Sequence, residues 1–96
     1  MVPKHSAALE ALGRLCFESE QWERSATFFS EALNLKPGDS KLVHNLAQTL
    51  FRYGTFCEKQ TRWKDAIHQY QKLLKLDPTS APAVQERLAA MDKGIF

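Results

Sequence analysis

The stretch Leu33–Ser40, LNLKPGDS, returns as Leu74–Ser80, LKLDPTS, with a proline in the same place 41 positions on. Pro37 removes a backbone donor, Gly38 permits a left-handed turn, and Asp39 or Ser40 can cap the exposed amides of a following helix. Asp77-Pro78-Thr79-Ser80 carries the same logic. Each stretch therefore predicts the end of one helix and the start of the next.

Outward from these two breaks the apolar spacing is helical. Ala8, Leu9, Leu12, Leu15 and Cys16 recur at three and four residues, and so do Ala26, Phe29 and Leu33, then Ile67, Tyr70, Leu73 and Leu74. No segment alternates as a strand does. With further breaks near 18–21 and 60–62, the chain reads as all-α with five helices, over 5–18, 22–35, 40–59, 63–76 and 81–92. A shift of 41 superposes Leu9 on Leu50, Gly13 on Gly54, Cys16 on Cys57, Trp22 on Trp63, Leu33 on Leu74, Leu35 on Leu76 and Pro37 on Pro78. A small residue at a helix crossing, an aromatic opening the second helix and a proline at the reversal make a helical hairpin whose apolar face needs a neighbour.

At these residues the chain resembles a tetratricopeptide repeat. The first unit meets the pattern with Leu9, Leu12-Gly13, Cys16, Ser25, Phe29 and Pro37, and the second with Leu50, Tyr53-Gly54, Cys57, Ala66, Tyr70 and Pro78. Both units carry cysteine where an aromatic is usual, and Ser25 stands where alanine is usual. The resemblance implies antiparallel helical hairpins stacked as a short right-handed solenoid. On that reading, 1–96 is a single domain with a first repeat over 6–39, a second over 40–80 and a capping helix over 81–93.

The family period is 34 residues and the spacing here is 41. Seven extra helical residues add about two turns, roughly 10 Å, and turn the face by only about 20°. Val43, Leu46, Ala47, Leu50, Tyr53, Gly54 and Cys57 then form one apolar seam along an elongated third helix. A mid-helix glycine costs about 1 kcal/mol against alanine, but the pattern itself places glycine there. A fourth helix of some 14 residues leaves part of the third uncovered, so an apolar strip containing Val43, Leu46 or Phe56 is expected to seek a partner.

Hydrophobic residues at 44%, charged residues at 25% and a net charge of +2 describe an ordinary globular chain. Lys and Arg are interspersed with Asp and Glu, which argues against nucleic acid as a partner. No run of 18 or more apolar residues predicts membrane insertion and no apolar leader is present, so a cytoplasmic location is expected. Cys16 and Cys57 are expected as buried thiols rather than a disulfide.

Catalytic chemistry finds no foothold. His5, His44 and His68 lack metal spacing, neither cysteine has a ligand neighbour, and phosphate-loop and nucleophile-elbow motifs are missing. The expectation is no enzyme, no metal and no cofactor. Binding remains. In tetratricopeptide arrays the first helix of each hairpin lines a concave groove, which implies Glu10, Arg14 and Phe17 from the first hairpin. The second offers Lys41, His44, Gln48, Phe51, Arg52 and Thr55, with Ala7 and Gln85 beside them. Aromatics among mixed charges suit a short peptide or helix held by a few apolar anchors. Phe17, His44 and Phe51 lie off the core seam and are read as having no intramolecular role. The family's grip on acidic C-terminal tails uses Lys and Asn on the first groove helix, and Glu10 and Arg14 occupy those places here. The alternative reading is a structural module for self-assembly, a homo-oligomer, or docking within a larger protein.

Overall fold

The computed structural model describes residues 5–95, with side chains through Met91. Among these residues there are five α-helices and no strand. They are α1 (Ser6–Glu18), α2 (Trp22–Leu35), α3 (Ser40–Lys59), α4 (Trp63–Leu76) and α5 (Ala81–Ile95), with a 3-10 turn at Pro78–Ser80 before α5. The breaks form as their residues require. The Asp39 carboxylate accepts from the amides of Lys41 and Leu42 at 2.9 and 3.1 Å, capping α3. Asp77 accepts from the Thr79 amide at 3.2 Å and organises the 3-10 turn, a step absent from the sequence reading.

The turns that close each hairpin are copies of one another. Glu20 and Thr61, 41 positions apart, adopt φ of 59° and 56°. Beyond them the amides of Gln21 and Arg62 reach back to the carbonyls of Cys16 and Cys57, both at 2.8 Å. This is the left-handed helix end that glycine usually serves, built here twice without glycine.

The chain forms two compact units, one through Thr49 and the other from Leu50, with α3 contributing to both. In the first unit α1 packs on α2. Phe29, 2% exposed, lies on Gly13, where an added Cβ would stand 2.8 Å from the ring. Burying a phenylalanine of this kind is worth about 2–3 kcal/mol. Ser25 is fully buried and its hydroxyl donates to the Gly13 carbonyl at 2.8 Å, with Thr49 Oγ1 at 3.4 Å. The serine in place of alanine thus ties the two helices at their crossing. The expected α1 stripe is only partly buried: Leu9 and Gly13 are covered, Cys16 is half-buried, and Leu12 and Leu15 are 42% and 60% exposed.

The second unit repeats the crossing with Tyr70 over Gly54, and α3 runs through Gly54 unbroken. The Tyr70 hydroxyl donates to the Glu58 carboxylate, which also receives the Arg87 guanidinium from α5. Burial would raise the Glu58 pKa. Hydrogen bonds from Arg87 and Tyr70, with the Arg87 charge, outweigh that and hold it below the ordinary value. Tyr70 is pushed well above the phenol range, first by burial and then by its bond to Glu58. This clasp ties α3, α4 and α5 together.

The α3 seam differs from expectation in two ways. Leu46, Ala47, Leu50, Gly54 and Cys57 are buried as expected, but Leu42 and Thr49 are buried too, at 1% and 0% exposure, while Val43 and Tyr53 are half-buried. The strip expected to stay uncovered does not: Leu46 is only 6% exposed, and Phe56 alone, at 38%, is open. Both cysteines are thiols; Cys57 is fully buried and Cys16 only partly.

Candidate partner-binding site

Within the first unit α1 and α3 border a cleft of about 170 Å³, lined by Arg14, Phe17, Glu18, Phe29, Asn45 and Gln48. Phe29, almost fully buried, lies against Gly13 and forms the apolar floor of the cleft. Phe17 is half-buried, its ring edge-to-face with Trp22 at 5.0 Å and 81°, so the opening residue of α2 fixes its orientation. Arg14, Glu18 and Gln48 are exposed and Asn45 is half-buried. Three of the residues expected from the sequence, Arg14, Phe17 and Gln48, are thereby brought together.

The other expected residues have varied fates. Glu10 is mostly covered and its carboxylate lies 3.4 Å from Lys41 Nζ, an ion pair from α1 to the start of α3. His44 is exposed, as are Ala7 and Gln85. Phe51, Arg52 and Thr55 belong to the second unit. Phe51 is half-buried against Tyr70 with ring centroids 5.9 Å apart, and Thr55 donates to the Arg52 carbonyl at 2.9 Å. Phe17 and Phe51 therefore do have intramolecular roles, contrary to the sequence reading, because each packs on the aromatic of its own hairpin. Asn45, Glu18 and Phe29 also line the cleft and were not among the residues expected from the sequence. The spacing of Asn45, four residues after Lys41 and three before Gln48, already places it on the same helix face.

The cleft offers a guanidinium, a carboxylate and two amides around an apolar surface. Amides both donate and accept, as a peptide backbone does, so the set is suited to an extended chain or helix end that inserts one apolar side chain. Among the described residues no three His, Cys, Asp or Glu side chains group as metal ligands would, and no helix is long and apolar enough to cross a membrane.

Residues 47–80 match the family model of the tetratricopeptide repeat. The match and the five-helix architecture fit a tetratricopeptide-repeat-like protein. The tetratricopeptide repeat is in general a protein-interaction fold rather than a catalytic one. No curated protein sequence matches the chain significantly. The match opens at Ala47, inside α3, so the first two turns of that helix, 40–46, lie ahead of the matched repeat. These turns carry Lys41, which pairs with Glu10, and Asn45, which lines the cleft.

Proposed function

We propose that the chain is a protein-interaction module that binds a short peptide or helix, with the Arg14–Phe17–Asn45–Gln48 cleft receiving one anchor side chain. The observation that carries this reading is the cleft itself, an apolar surface fixed by Phe29 and Phe17 and edged by unlike polar groups. Lys41 and His44 extend the same helix face toward the start of α3, and Phe51, Arg52 and Thr55 are candidate contacts on the second unit, taken by itself. The turns at 40–46, ahead of the matched repeat, lengthen the binding face, so the ligand preference of this chain differs from that of a 34-residue repeat.

A dodecapeptide display library panned on the full chain tests the proposal. Enriched peptides should bind in the micromolar range typical of short-motif recognition and weaken about tenfold against Asn45→Ala/Gln48→Ala, a moderate interface loss. Failure to enrich any peptide, or equal affinity for the double variant, contradicts it.

A second reading, self-assembly or docking through an apolar face, is favoured by one observation: Leu12 and Leu15 are exposed on the same side of α1. Sedimentation of the chain against Leu12→Ser/Leu15→Ser decides it. Concentration-dependent association lost in the variant supports that reading, and a monomer throughout removes it.

A further inference from the structure

The second unit carries a surface that the cleft does not use. Along the outer face of α4, Lys64, His68, Gln71, Lys72 and Lys75 are all exposed, in steps of three and four that keep them on one side of the helix. The buried side is taken by Ala66, Gln69, Tyr70 and Leu73. Lys64 to Lys75 spans about 16 Å of helix. The acid that shares α4, Asp65, is engaged by Arg62, with Nε and Nη2 each 2.8 Å from Oδ2. None of the ion pairs among the described residues uses Lys64, Lys72 or Lys75. Beside this row lies a recess of about 350 Å³ lined by His68, Gln71, Lys72, Leu74 and Lys75. Leu74 is half-buried at its edge and Ile67, one heptad earlier, is half-buried on the same flank.

We infer that the outer face of α4 docks an acidic amphipathic helix of a partner protein. The lysine row is a straight ridge of the kind along which a second helix can lie. Carboxylates repeating at three and four on that helix would meet Lys64, Lys72 and Lys75 in turn, and one apolar side chain would enter the recess against Leu74. Charge complementarity of this form governs register and association rate. An anionic membrane is the poorer fit, because no large apolar side chain on this face is exposed enough to insert. Nucleic acid is poorer still: the row has no aromatic for base stacking, and three lysines make a small phosphate footprint.

The test titrates the full chain, at low and at physiological salt, with a blocked fifteen-residue alanine-based helix bearing glutamates in the same three-and-four spacing and one leucine. Micromolar binding is expected, weakening with salt. Lys64→Gln/Lys72→Gln/Lys75→Gln should lower affinity about tenfold, and the corresponding glutamates should lower it further. Replacing the probe's leucine by serine should also weaken binding, which reads the recess without altering the protein. Asn45→Ala/Gln48→Ala should leave probe binding unchanged, so failure of the cleft and failure of this face are separable. No binding, or equal binding by the glutamine variant, overturns the inference. Tighter binding to phosphatidylserine vesicles or to an oligothymidine than to the probe overturns it in favour of those ligands.

Discussion

Tyr70 lies so closely over Gly54 that a methyl group on Gly54 would stand 2.5 Å from the ring. The ring has little freedom to yield, since it is fully buried, touches Phe51 and is held at its hydroxyl by Glu58. Glycine at this position is therefore a requirement of packing. Gly54→Ala should lower stability by about 1–2 kcal/mol, overpacking outweighing alanine's helix advantage of about 1 kcal/mol. Gly13→Ala should cost less, because Phe29 has no polar tether. Denaturant midpoints of the two variants check this, and a gain at Gly54 would show that the ring moves freely.

The clasp on Glu58 makes the second unit sensitive to acid. The folded carboxyl titrates below the ordinary value of 4.5. Its stabilisation is therefore complete above that value and is lost as pH falls through the lowered folded pKa. Arg87→Gln should cost about 1 kcal/mol at neutral pH, a modest figure because Arg87 is 40% exposed and screened by solvent. The difference between the two proteins should shrink as pH falls below 4.5. Thermal melts over a pH series measure it; a gap that stays constant would mean that Arg87 acts only through packing.

Glu20 and Thr61 occupy left-handed backbone that costs an ordinary residue about 1–2 kcal/mol. Part of that strain returns as unfolded-state entropy when glycine is introduced. Glu20→Gly and Thr61→Gly should each raise stability by about 0.5–1 kcal/mol and add when combined. Equilibrium unfolding of the single and double variants reads both effects.

Gln69 is 6% exposed and its Oε1 accepts no hydrogen bond. A buried acceptor without a donor costs about 1–3 kcal/mol. Gln69→Leu, similar in volume and free of that cost, should raise the denaturation midpoint; a fall would show that the amide is needed.

Most helix boundaries were legible because their signals are local: the Pro37 and Pro78 breaks, the Trp22 and Trp63 openings, and an apolar period that α3 keeps through Gly54. What escaped depends on which helix face finds a neighbour. Leu12 and Leu15 have the spacing of core residues yet are open, while Leu42 and Thr49 are enclosed. Ser25 stands where alanine is usual, and nothing in its spacing announces that its hydroxyl bonds the carbonyl of the glycine it packs beside. Glu20 and Thr61 gave no warning, since the turn signal expected there is glycine. At the candidate site, the family resemblance together with face periodicity singled out Arg14, Phe17 and Gln48, which line one cleft. Neither could foresee that Glu10 would pair with Lys41 or that Phe51 would lean on Tyr70.

The proposed function requires a peptide to seat in the cleft between α1 and the start of α3. Amide chemical-shift mapping of the full chain during titration with a display-selected peptide tests it most directly. The largest shifts should cluster on Arg14, Phe17, Asn45 and Gln48, and they should vanish in the Asn45→Ala/Gln48→Ala variant while its helical spectrum stays intact. Shifts that bypass these residues and centre on Leu12 and Leu15 would contradict the proposed function.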